Sequence, residues 1–242
     1  MSSITFKRVS KSYGRRTILN NLSFTFPEKS TSAVIGPSGS GKSTLLQIIN
    51  GLVRPEQGKL FLFGENLNYE RLPQLRRKIG YAVQETGLFP HLTVEKNITL
   101  LAKLEHWSEE KIRFRLSKLL QLVSLPENFL HKFPHQLSGG ERQRVGLCRA
   151  MMLNPKLFLL DEPFGALDPI TRSEIHEEFL QLQRSEVRTT ILVTHDLREA
   201  IKLSDRIMIL NHGNIEQFSS KADLLQNPAT TFVEQFVHKQ LE

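Results

Sequence analysis

The stretch that most constrains this chain is Gly36-Pro37-Ser38-Gly39-Ser40-Gly41-Lys42-Ser43-Thr44. It fits the pattern G-x-x-x-x-G-K-[ST]. Ser32 to Ile35 before it is short, apolar-leaning and β-branched, as a buried strand is. From Ser43 to Asn50 apolar residues recur at helical spacing, and Gly51 suits the position just past a helix end. A strand, a glycine-rich loop and a helix start in that order make a cradle for a polyphosphate. The glycines let backbone N–H groups wrap close to the charge, and the helix N-terminus adds its positive end. Lys42 is expected to reach the β- and γ-phosphates, and the Ser43 hydroxyl to bind Mg²⁺. A plain glycine-rich turn explains a helix start, but it has no need of Lys42-Ser43 after the second glycine.

The 242 residues suffice for one large domain, or one domain with a small subdomain. Hydrophobic residues at 39% and charged residues at 24% are ordinary for a soluble globular chain. No run of eighteen apolar residues occurs, and Met-Ser-Ser-Ile-Thr-Phe-Lys-Arg lacks the apolar core of a signal peptide. The one cysteine, Cys148, excludes an internal disulfide and a cysteine-cluster metal site, and points to a reducing compartment. The net charge of +7 is spread along the chain, which permits an anionic partner without naming one.

Residues 3 to 35 read as β-rich. Ile4, Phe6 and Val9 suggest one strand; Leu22, Phe24 and Phe26 alternate with polar residues in another. Tyr13-Gly14 reads as part of a turn between them. Tyr13 serves packing there, or it stacks on a purine ring. Gly58 to Phe63 and Ile79 to Gln84 are further strands. Gln84 ends its strand, where functional groups of α/β folds sit. From Glu85 to Gln136 helical periodicity takes over, with helices over Thr93–Leu104 and Ser108–Leu122 and Ser108 as an N-cap. The apolar, aperiodic Gly87 to Leu92 is core filler or a docking surface for a partner.

Leu137-Ser138-Gly139-Gly140-Glu141 opens another helix. Such a start is a second anion site, or a glycine-softened N-cap. Leu157 to Leu160 is a buried parallel strand ending in Asp161-Glu162. Asp161 is expected to hold Mg²⁺ through water, and Glu162 to orient or deprotonate an attacking water. Asp168-Pro169 starts a helix as N-cap and N1. Thr189 to Thr194 is a strand, and His195 beyond it is placed to donate to a γ-phosphate. A hairpin over Arg206–Phe218 and two short helices, near Lys221–Gln226 and Thr231–Gln240, finish the chain.

Together these stretches resemble the nucleotide-binding domain of ATP-binding cassette proteins. The phosphate loop, Gln84, Leu137 to Glu141, Leu157 to Glu162, Ala166-Leu167-Asp168 and His195 stand in that family's order and spacing. The resemblance covers essentially the whole chain. It implies an α/β P-loop NTPase fold with a RecA-like parallel-sheet core. An antiparallel β-subdomain precedes that core, and an α-helical subdomain over 85–136 interrupts the remainder, 1–84 and 137–242. It implies ATP and Mg²⁺ as cofactors, Gln84 as a further catalytic and metal-site residue, and Tyr13 as the base-stacking ring. It also implies a head-to-tail homodimer that sandwiches ATP between one copy's phosphate loop and the other's Ser138, Gly139 and Gly140, with Asp168 acting across the dimer.

One such domain with no membrane span looks like an importer's energy-coupling subunit. It would dock a separate permease near Gly87–Leu92 at the cytoplasmic face of the membrane and work indirectly with a periplasmic or surface solute-binding protein, without nucleic acid. Lys78 to Ile98 and Asp161 to Arg172 look most like the quaternary-amine (glycine betaine, choline, carnitine) osmoprotectant importers. Many of those subunits carry a C-terminal pair of nucleotide-sensing repeats, expected to be absent from a chain ending at Glu242. Amino-acid or lipid transport, or a soluble nucleic-acid- or ribosome-associated ATPase, are the alternatives. The soluble kind usually carries a coiled coil, zinc-binding cysteines or tandem cassettes, and this sequence has none of them.

Overall fold

The computed structural model describes residues 2–83, 87–165 and 167–242. It opens with the antiparallel pair β1 (Ser2–Tyr13) and β2 (Arg16–Pro27). Period-two alternation fails midway because the backbone turns left-handed at Arg8 (φ 52°) and Asn21 (φ 47°). The register shifts beside both residues, so Phe6 and Val9, three apart, are both buried. β3 (Thr31–Ile35) is buried along its length. The glycine-rich loop follows, then α1 (Lys42–Ile49), with Asn50 as C-cap and Gly51 left-handed beyond it. β4 (Gln57–Leu62) runs antiparallel to β1, and β5 (Glu65–Asn66) and α2 (Leu72–Arg76) come next.

β6 (Ile79–Ala82) leads to α3 (Val94–Leu104) and α4 (Glu109–Leu122). Thr93 and Ser108 cap those helices with their hydroxyls. Then come α5 (Gly139–Met151), β7 (Leu157–Asp161), α6 (Pro169–Ser185) and β8 (Thr189–Val193). α7 (Leu197–Leu203) goes beyond the sequence reading. It is short, but Asp196 caps it, and Leu197, Ala200 and Leu203 bury one face. The hairpin β9 (Arg206–Asn211) and β10 (Asn214–Ser220) precedes α8 (Lys221–Gln226) and α9 (Thr231–Leu241).

The chain divides into two compact units, 1–76 with 188–242, and 77–187. In the first, β3 lies between β8 and β9, parallel to both, and β10 pairs antiparallel with β9. Ala33, Ile35, Ile207 and Ile209 from these strands pack with Leu197, Ala200, Leu224 and Val233 from the helices. Burying each larger side chain contributes about 1.5–3 kcal/mol. Val34 pairs with Val193, so the loop after β3 and His195 after β8 leave the strands at the same end. In the second unit β6 pairs parallel with β7, and Ala82 is level with Leu160. Val83 after Ala82 and the acids after Leu160 therefore share one strand end. Arg115 ties α4 to the end of α6: its guanidinium donates to both Glu186 oxygens at 2.6 and 3.3 Å and to the Met151 carbonyl at 3.0 Å.

Candidate functional site

The phosphate-type loop is held on two sides within the first unit. A Cβ on Gly36 would stand 1.9 Å from the Leu210 carbonyl oxygen, so only glycine lets the loop leave β3 against β9. The Gly213 N–H donates to the Ser40 carbonyl at 3.2 Å, and the Asn20 N–H donates to the Gly213 carbonyl at 2.9 Å. The tip of the β9–β10 hairpin thus lies between the loop and β2. Lys42 is buried, and its ammonium donates to the Gly36 and Pro37 carbonyls at 2.9 and 3.0 Å. A buried cation needs such partners. The same geometry suits anion binding: an ammonium folded over its own loop, at the N-terminus of α1.

Tyr13 ends β1 about half exposed, with Lys11 Nζ 5.0 Å from its ring centroid. Core packing therefore leaves the ring available. His195 is exposed after β8. The Thr194 N–H donates to the Val34 carbonyl at 3.3 Å, which fixes that strand end beside β3.

In the second unit Asp161 is buried at the end of β7, and Glu162 beyond it is partly buried. Glu162 has φ 47°, a left-handed conformation that side chains seldom adopt and that is often concentrated at working sites. Burial lifts the Tyr81 hydroxyl well above its ordinary pKa, and the Asp161 carboxylate adds to the shift. Ser138 caps α5 in a reciprocal box: its Oγ accepts from the Glu141 N–H at 3.2 Å, and Glu141 Oε2 accepts from the Ser138 N–H at 2.6 Å. Asp168 is exposed and caps α6, accepting from the Ile170 and Thr171 N–H groups at 3.1 and 3.0 Å. A Cβ on Gly140 would lie 3.0 Å from Leu167 Cδ2, so the starts of α5 and α6 adjoin. Gln84 and Ala166 lie outside the described residues.

Phe89 is 42% exposed, so Gly87–Leu92 is not core filler. The buried Asn97 side chain fastens this segment. Its amide group donates to the Phe89 and Leu92 carbonyls at 3.1 and 2.9 Å, and its oxygen accepts from the Phe89 N–H at 2.8 Å. Arg149 donates to the Gly87 carbonyl at 2.7 Å. The result is an apolar loop held in one shape with an aromatic ring at the surface.

A family model described as ABC transporter matches residues 19–165. The chain belongs to the ABC transporter family. Within this ABC chain the matched stretch takes in the phosphate loop, the capped start of α5 and the acid pair, while Tyr13, Asp168 and His195 lie outside it. A choline transport ATP-binding protein of Bacillus subtilis (strain 168) is 47% identical over 98% of the chain and 62% of its own length. A glycine betaine uptake system ATP-binding protein of Escherichia coli (strain K12) is 43% identical over 96% of the chain and 76% of its own length. The chain thus spans about three fifths of the length of the Bacillus relative. A solved ATP-binding cassette, dimeric in a post-hydrolysis state with ADP and Pi bound, superposes with a TM-score of 0.83. It is 34% identical and covers 90% of this chain and 98% of its own. The fold is that of the α/β ABC ATPase cassettes.

Three positions gain a role only in the structure, although Asn211-His212-Gly213 reads as a hairpin turn in the sequence. Gly213 reaches the loop from far along the chain. Asp196 caps α7. Arg16, at the start of β2, places Nη2 3.1 Å from where a Gly39 Cβ would be. The asparagine-histidine-glycine turn and the Asp-x-x-Glu start signalled the first two; a lone surface arginine carries no such signal.

Proposed function

We propose that this chain is the ATP-hydrolysing part of an importer for quaternary-amine osmoprotectants. Lys42, folded over the Gly36 and Pro37 carbonyls of a glycine-rich loop, is the observation that carries the reading. Those carbonyls hold the ammonium until a polyphosphate offers stronger, charged acceptors. The loop from Gly36 to Thr44 binds the phosphates through its N–H groups, Tyr13 stacks on the base, and Glu162 takes the proton of the attacking water. His195 donates to the γ-phosphate as charge develops there. Ser43, Asp161 and Gln84 are the residues that would hold Mg²⁺. The described residues contain no cluster of three or more His, Cys, Asp or Glu side chains able to hold a metal alone. Mg²⁺ held by Ser43, Asp161 and Gln84 would offset the negative charge of the phosphates.

Two copies assemble head to tail, and the Ser138-Gly139-Gly140 start of α5 meets the nucleotide held by the other copy. Asp168 acts at the same junction. The helical insertion over 85–136 and the exposed Phe89 loop engage a membrane permease. No helix among the described residues is long and apolar enough to cross a membrane itself. In this reading the chain works at the cytoplasmic face beside that permease. The solute class rests on the choline and glycine betaine relatives.

The test is uptake of radiolabelled choline and glycine betaine by cells expressing the protein with its neighbouring permease genes, beside a Lys42→Ala control. Uptake that disappears in the control supports the reading. ATPase activity without uptake of either compound would reject the solute class and keep the enzyme. No ATP turnover would reject both.

A further inference from the structure

We infer that Arg16 is a nucleotide-binding residue that engages the phosphate nearest the sugar. The inference rests on the nucleotide site proposed above and adds a contact to it. Tyr13 and Arg16 are partners across the turn between β1 and β2. Arg16 in turn lies against the phosphate loop, with Nη2 3.1 Å from the position of a Gly39 Cβ. The order in space is therefore ring, guanidinium, loop. A nucleotide with its base on Tyr13 and its outer phosphates among the loop amides spans the same interval. Its sugar and first phosphate fall at Arg16.

The strand that carries Arg16 is fixed there. A Cβ on Gly41 would stand 2.7 Å from Leu19 Cδ2 and 2.8 Å from the Ile18 carbonyl oxygen, so β2 packs directly on the loop. Arg16 is exposed, and its guanidinium makes no hydrogen bond or ion pair among the described residues. Its donors are thus ready for a ligand. A guanidinium is planar, always charged and matched to phosphate oxygens. The role differs from that of Lys42. Lys42 serves the β- and γ-phosphates, whereas the first phosphate is common to ATP and ADP. An interaction made equally in ground and transition states changes KM and leaves kcat alone.

The experiment compares the intact protein with Arg16→Ala and Arg16→Lys, by calorimetric titration with ATP, ADP and adenosine and by steady-state ATP turnover. The expected result for Arg16→Ala is a rise of roughly threefold to tenfold in the Kd of both ATP and ADP. KM rises by the same factor, kcat holds, adenosine affinity is unchanged, and Arg16→Lys recovers part of the loss. Unchanged Kd values for ATP and ADP overturn the inference, as does a fall in kcat at constant Kd. So does a loss for adenosine as large as that for ADP, which would place the contact on the sugar or base. A parent protein that binds no ATP would reject the proposed nucleotide site itself, and the inference with it.

Discussion

The Gly213 N–H donates to the Ser40 carbonyl at 3.2 Å, joining the tip of a C-terminal hairpin to the phosphate loop. Both turn residues, His212 (φ 43°) and Gly213 (φ 76°), are left-handed, as a two-residue hairpin turn matched to strand twist requires. A Cβ on Gly213 would meet the Ile18 carbonyl oxygen at 2.5 Å. Gly213→Ala is expected to cost about 1–3 kcal/mol and to weaken ATP binding, because the tip must lift off the loop. Gly64→Ala is the control: φ is 85° there, but a Cβ would meet nothing within 4 Å. Denaturant midpoints and ATP titrations of the two variants check this. Equal ATP affinity in both would reject the link between hairpin and loop.

Glu162→Gln keeps the size of the side chain and removes the proton acceptor. ATP turnover is expected to fall by roughly 100-fold or more, while ATP binding persists. With hydrolysis blocked, ATP-loaded protein should elute as a dimer in size-exclusion chromatography. Turnover at the parent's rate would remove Glu162 from the base role.

Ser138 has a structural duty that is visible in its capping box. Losing a cap typically costs about 1 kcal/mol. If capping were its whole role, Ser138→Ala would lower stability by that much and spare turnover. The expected outcome is the modest stability loss together with at least about a tenfold drop in turnover. Thermal unfolding and ATPase rates on one preparation separate the two.

The parts of this molecule that could be read from its sequence are those coded by neighbours in the chain. β3 and β7 are short apolar runs, buried throughout as expected. Thr93, Ser108, Ser138 and Asp168 cap helices because a cap is a local hydrogen bond. Bulges at Arg8 and Asn21 hid the true length of β1 and β2, since two left-handed residues reset the alternation. The Gly213–Ser40 contact was invisible because it joins residues brought together only by the pairing of β9 with β3. Arg16 was missed for the same reason: nothing beside it in sequence shows what its guanidinium lies on.

Cys148 is buried in α5, and burial pushes its thiol up to about 12. Its Sγ donates to the Leu119 carbonyl at 3.5 Å. The thiolate is the reactive form. Native protein at neutral pH is therefore expected to react with iodoacetamide at least about 100-fold more slowly than protein unfolded in urea. Mass spectrometry of the two samples measures it. Similar rates would mean that the packing of α5 on α4 opens readily.

Hydrogen bonds from Thr171, side chain and backbone, and from the Ile170 N–H hold the Asp168 carboxyl below its ordinary range. A depressed folded pKa stabilises the fold above the unfolded value and is lost as pH falls through the folded one. Asn is a good cap without a charge. The stability gap between parent and Asp168→Asn is therefore expected to be constant from neutral pH down to about 5, and to narrow as the pH drops further. Unfolding midpoints across that range test it, and a gap that widens on acidification would contradict the assignment.

The close approach of β6 and α5 has a mechanical meaning. A Cβ on Gly80 would stand 2.4 Å from the Ala150 carbonyl oxygen and 3.0 Å from Phe158 Cδ2. The last turn of α5 therefore rests on bare strand backbone, with no side chain to cushion it. From that fulcrum the helix extends about 20 Å to Ser138. Each degree of tilt at Gly80 swings Ser138 by about 0.3 Å over an arm of that length. A small twist in β6 is magnified at the far tip of the helix, as a crank magnifies the turn of its axle.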